Sequence, residues 1–316
     1  MRPIRVILAV TAAGMAGVAL GLLIGPSAGP VDRLLALCLS GATALTPATV
    51  SSAWSLAPAT LLPVLLLPAL YLPAVLARRR DGVAPPAQRV VLFGAGWLLL
   101  GVALVSPLCR LAAHLAWAHM VQHVILVALA PPLLLLGAGG VWAAPGDARA
   151  REGGAASWLG RPAVAGLAYG AAIWLWHVPQ LYEAALRDGA LHLVMLASLV
   201  GVSLVFWRTL LGAAHSGAGA ALAAAPVLLA TLMHTGLLGA LLTFSPGLWF
   251  PLMAPGALAF GLSPLADQQL AGLIMWMPMG LVYMMAALAI VARGLAASPL
   301  SEVATSRARM SQSPPE

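Results

Sequence analysis

His119 and His123 stand four residues apart in the stretch His114-Leu-Ala-Trp-Ala-His119-Met-Val-Gln-His123, which runs into the apolar VILVALAPPLLLLG. On a helix the two imidazoles lie on one face, one above the other, about 6 Å apart along the axis. Polar side chains entering a membrane span are costly and turn toward protein or a water-filled cavity. Three further histidines share this apolar setting. His177 ends Trp174-Leu-Trp-His177-Val-Pro179, His192 opens the next apolar run, and His234 lies inside a later one. Neutral imidazole is the commonest protein metal ligand, and thioethers favour Cu(I). Met120 adjoins His119, Met195 follows His192 by three, Met233 adjoins His234, and Met275, Met277 and Met279 crowd one segment headed by Asp267. His119, His123, His177 and His192 are the candidate shallow metal ligands, with His234 and Met275 as a deeper relay point. Gln122 and Asp267 are candidate partners that orient the imidazoles.

Each of these readings has a plainer rival. Methionine fills irregular apolar gaps, and a membrane histidine can simply bond two helices together. Asp267 can cap its own helix, Glu183 and Asp188 can form a solvated face, and His215 reads as solvated. A membrane di-iron oxygenase would need several more histidine boxes than the chain contains. Haem ligation by a facing histidine pair is not separated from copper by spacing. No P-loop, GxSxG, HExxH or Rossmann glycine pattern is present.

The elements that must carry these residues are membrane helices. The chain is 61% hydrophobic and 8% charged, with a mean hydropathy of +0.96, where a soluble domain carries about 25% charged residues. Residues 4–25 predict an N-terminal transmembrane helix or uncleaved signal anchor, since the apolar run of about 20 residues is enough to span a bilayer. Residues 26–55 read as a polar linker. A core over 56–292 holds seven spans, near 56–77, 89–107, 119–139, 163–180, 190–207, 219–243 and 268–292. Residues 293–316 read as a disordered tail. The fold class is all-α, a polytopic bundle of a seven-helix core plus one N-terminal helix, about eight spans.

Orientation follows from arginine, as the chain has no lysine. With both termini cytoplasmic, thirteen arginines fall inside, and only Arg33, Arg110 and Arg187 fall outside. The arginines sit between apolar segments and form no nucleic-acid patch. This topology gathers six of the seven histidines on the outer side. Cys38 and Cys109 fall on that side too. Two unrelated buried thiols is the simplest reading of them, with a disulfide or a metal thiolate as alternatives.

At these residues the chain resembles the CtaG family of cytochrome c oxidase assembly factors, the multi-spanning kind associated with caa-type oxidases. The matching pieces are His119-Met-Val-Gln-His123 with LAPPLLLLG, Trp176-His177-Val-Pro179-Gln-Leu-Tyr182-Glu-Ala-Ala-Leu, His192 ahead of Phe206-Trp207, and Asp267-Gln268-Gln269-Leu-Ala-Gly272-Leu-Ile-Met275-Trp276-Met-Pro278. The resemblance implies a bacterial inner-membrane protein that matures a haem–copper oxidase. Its partners would be oxidase subunits, with copper as the metal handled. The expected function is therefore a non-catalytic assembly factor that holds copper transiently at an outward-facing His/Met site. The alternatives are a haem-binding or redox membrane protein, or a metal-free scaffold.

Overall fold

The computed structural model describes residues 37–39, 45–139, 141 and 161–296. The expected N-terminal helix and most of the terminal tail lie outside these residues. The expected core helices are all present, and the all-α polytopic bundle stands. They are α1 (Pro58–Arg80), α2 (Ala87–Leu104), α4 (Ala116–Ala138), α5 (Pro162–Trp176), α7 (Gly189–Ala213), α8 (Ala218–Phe244) and α10 (Pro264–Ala296). Six of these are long and apolar enough to cross a membrane, and α5, with 15 residues, is shorter. Short helices α3 (Pro107–Ala112), α6 (Pro179–Arg187) and α9 (Ala254–Ala259) connect them at the end of the bundle that carries the histidines.

Local chemistry sets the boundaries. Proline stands first in α1, α3, α5, α6 and α10, where its missing N–H costs nothing and its φ is already helical. Ser106 caps α3 through Leu108 N at 3.2 Å, and Asp188 caps α7 through Leu191 N at 2.8 Å. The span expected over 163–180 breaks instead at His177. Pro179 drives Val178 into an extended conformation, which stops α5 and starts α6. Arg78, Arg79 and Arg80 close α1, where positive charge favours the helix C-terminus.

Prolines inside the spans free backbone carbonyls, and indoles meet two of them. Pro68 leaves Val64 O without its helical donor, and Trp97 Nε1 donates to it at 2.7 Å. In α4 the chain opens to π geometry over Val124–Leu129. Val127 O would receive the N–H of residue 131 in an α-helix or of residue 132 in a π-helix, and both are proline. Trp207 Nε1 donates to it instead, at 2.8 Å.

Small residues bring α8 and α10 together. A Cβ on Gly239 would stand 2.8 Å from Gly272 O, so any larger residue there separates the two backbones. The large side chains Leu62, Leu65, Leu72 and Leu76 of α1 are more than half exposed, as expected of a helix whose outer face meets lipid.

The cysteines correct one reading. They are not unrelated thiols: Cys38 and Cys109 form a disulfide with an S–S distance of 1.98 Å. It ties the turn Leu37–Leu39 to α3, and both cysteines are buried.

Candidate functional site

The start of α4 is the site's frame. Leu115 occupies its cap position and has no side-chain acceptor to offer the first amides. Asp267 supplies one from α10, 150 residues away: Oδ2 accepts from Ala116 N at 2.8 Å and Oδ1 from Trp117 N at 3.0 Å. The carboxylate therefore caps the helix that carries the histidines. It neither caps its own helix nor bonds an imidazole.

One turn further, His119 is fully buried, and its Nδ1 donates to Ala112 O at 3.1 Å. His177, at the α5–α6 break, donates from Nδ1 to Ile173 O at 2.7 Å. A backbone carbonyl only accepts, so in the neutral ring each Nδ1 carries the proton and each Nε2 is left with its lone pair. That is the form in which imidazole binds a metal.

The Nε2 atoms of His119, His123 and His177 are buried and have no hydrogen-bond partner among the described residues. Buried polar atoms are nearly always paired, so several orphans in one place mark a site. The His119 and His123 ring centroids lie 4.2 Å apart, and those of His123 and His177 lie 5.9 Å apart. His192 is fully buried, has no partner at either nitrogen among the described residues, and lies within electrostatic reach of His119 and His123. The Ala185 carbonyl lies close to its ring, short of hydrogen-bond geometry.

Below His119 a cavity of about 10 Å³ has room for roughly one water-sized sphere. It is lined by His123, His177, Met120, Met275 and Met279, with Val124, Val127 and Ile173 completing the wall. Two imidazoles and three thioethers thus face one small space. Met279 was not among the expected ligands, although its spacing of four from Met275 puts both on one face of α10. Met277, two residues from either, is 64% exposed and turned away. Among the described residues, no three His, Cys, Asp or Glu side chains form a closed metal-holding group. The mixed His/Met lining is the feature that suits a soft ion.

Tyr182 on α6 was quoted in the sequence pattern without a role. Its ring meets His119 edge-on at 4.7 Å, and its buried hydroxyl has no partner among the described residues. Burial first, then the nearby Asp267 and Glu183 carboxylates, raise this phenol well above its usual range. It therefore remains a neutral donor beside the imidazoles.

Other expected residues stand elsewhere. Gln122 donates to Ala103 O at 2.8 Å and to Cys38 Sγ at 3.2 Å, so it binds the α4 face to the disulfide rather than to an imidazole. His234 packs on α5 at Gly170, and its Nδ1 accepts from Trp174 Nε1 at 3.3 Å. An indole N–H only donates, so His234 presents an N–H at Nε2 in place of a lone pair, and it is not part of the cavity lining. Glu183 and Asp188 do more than face solvent: Glu183 accepts from Leu252 N at 2.9 Å and pairs with Arg187, and Asp188 caps the helix of His192.

Residues 69–297 match the family described as cytochrome c oxidase caa3 assembly factor (Caa3_CtaG). No curated protein and no solved structure gives a significant match to the chain. The family match spans most of the chain and contains every histidine of the cavity, which confirms the resemblance carried by the four sequence pieces. The chain belongs to the caa3-type cytochrome c oxidase assembly factors, as a multi-pass membrane protein that serves oxidase assembly.

Proposed function

We propose that this protein holds Cu(I) as cargo in the His/Met cavity and passes it to a subunit of the oxidase under assembly. The observation that carries the reading is the cavity lining, where buried, unpartnered Nε2 atoms of His123 and His177 meet the thioethers of Met120, Met275 and Met279. Thioether donors favour Cu(I) over harder ions. His119 and His192, next in the cluster and also unpartnered, are the entry ligands. Neutral ligands that are only partly gathered suit transfer, which needs exchangeable contacts. The role is to hold and hand over, without catalysis.

The arginine bias supports placing the histidine end on the outer face of a bacterial inner membrane, with both termini cytoplasmic. A cavity of about 10 Å³ disfavours haem, whose macrocycle needs far more room.

The test is Cu(I) loading of the detergent-purified full chain, with copper counted per protein, beside an oxidase-maturation assay in cells. About one equivalent retained by wild type, and lost together with maturation in His119→Ala/His123→Ala, is the expected result. No copper retained by wild type, with normal maturation by the variant, overturns the reading and leaves a metal-free scaffold.

A further inference from the structure

We propose that Asp267 is a positioning residue that sets the register between the thioether helix α10 and the imidazole helix α4. The inference rests on the Cu(I) reading for its functional consequence and on geometry for its structural one. Asp267 is 1% exposed, and both its oxygens are used on the first two amides of α4, as described above. A carboxylate at a helix N-terminus is favoured by the dipole as well as by the two hydrogen bonds. No residue of α4's own cap can replace it, because Leu115 is aliphatic.

The same two helices supply most of the cavity's donors. Met120 and His123 lie four and seven residues after the pinned Ala116, and Met275 and Met279 lie eight and twelve after Asp267. By the helical rise, the α4 donors stand about 6 and 10 Å from the pin, and the α10 donors about 12 and 18 Å. A slip of one helix along the other therefore moves thioethers past imidazoles without emptying the core. The cap fixes that slip.

The rest of α10 is held independently. Gln268 accepts from Trp249 N at 2.6 Å and donates to Gly247 O at 3.1 Å. Gly239 and Gly272 keep α8 and α10 in close contact. Loss of the carboxylate should thus disturb the register more than the fold.

The experiment compares wild type, Asp267→Asn and Asp267→Glu in the full-length purified protein. Cu(I) affinity is read by competition with a colorimetric Cu(I) chelator, and the sulfur-to-nitrogen ratio at copper by X-ray absorption. Asp267→Asn keeps one acceptor but turns an amide N–H₂ toward a backbone N–H. It is expected to weaken Cu(I) by about tenfold or more and to lower the sulfur share, with Asp267→Glu recovering part of both. Unchanged affinity and an unchanged ratio in Asp267→Asn overturn the proposal.

A metal-free readout separates this proposal from the copper reading. Oxidative cross-linking of Met120→Cys with Met279→Cys should be efficient with Asp267 present and fall with Asp267→Asn. If wild type binds no Cu(I) but cross-linking falls, the copper reading fails and the register role stands. If cross-linking is the same in both, the register role fails.

Discussion

Two regions of the same helices make opposite use of their polar groups. At the histidine end, α4, α5 and α10 contribute His123, His177, Met275 and Met279, and the imidazole Nε2 atoms have no partner among the described residues. Deeper along the same three helices lies an aromatic knot. Tyr169 stands eight residues before His177, and Tyr283 four residues after Met279. Their hydroxyls meet at 2.6 Å, Tyr169 also reaches Val127 O at 3.4 Å, and Trp207 donates to that same carbonyl at 2.8 Å. Phe206 stacks on Tyr169 with centroids 4.4 Å apart, and all four rings are essentially unexposed. The knot closes its hydrogen bonds internally, whereas the cavity leaves its donor atoms open. Burial alone does not mark a functional site in this molecule. Several neighbouring imidazoles buried without a partner do.

This contrast makes separable predictions. The largest effect belongs to His123→Ala/His177→Ala, which should abolish Cu(I) retention while shifting the melting temperature in detergent by only a few degrees. A collapse of stability instead would show that these rings are structural after all. Next comes Trp207→Phe, which removes the shorter of the two hydrogen bonds to Val127 O. It should destabilise the protein by about 1–3 kcal/mol in thermal or denaturant unfolding, with Cu(I) affinity retained. Tyr283→Phe removes one membrane-depth hydrogen bond and should cost about 0.6 kcal/mol, again with copper binding retained. A loss of copper binding in either variant would merge the two regions into one functional unit. The smallest effect is expected of His234→Phe. Because its Nδ1 is already engaged by Trp174, Cu(I) affinity should stay within about twofold of wild type by the same chelator competition. A large drop would restore His234 as a relay.

The sequence carried the fold well because run length and hydropathy decide it. Each core span expected from 56 to 292 has its helix, and the main departure, the early end of α5, follows from Pro179 acting on Val178. Prolines inside apolar runs show in the sequence which carbonyls lose their helical donor, but not that Trp97 and Trp207 supply the replacements. The π segment at Val124–Leu129 left no signal in an apolar run that fits either period. The gathering of His119, His123, His177 and His192 at one end of the bundle was legible from residue type and topology. Their proton positions were not, because Ala112 O and Ile173 O become acceptors only once the backbone is folded. Asp267 was expected to orient an imidazole or cap its own helix, but its partners are the Ala116 and Trp117 amides 150 residues away, where spacing says nothing. The cysteine pair escaped for the same reason, with a separation of 71 residues.

The shortness of α5 links the cavity to the lipid around it. Its 15 residues rise about 22 Å, against a hydrocarbon core of ~30 Å. His177 sits where this helix stops, so either the bilayer thins around it or the imidazole lies beneath the level of the headgroups. In both cases hydrophobic mismatch acts directly on a cavity wall. The acyl-chain length of the surrounding membrane thus becomes a variable of the site, one that no mutation is needed to change.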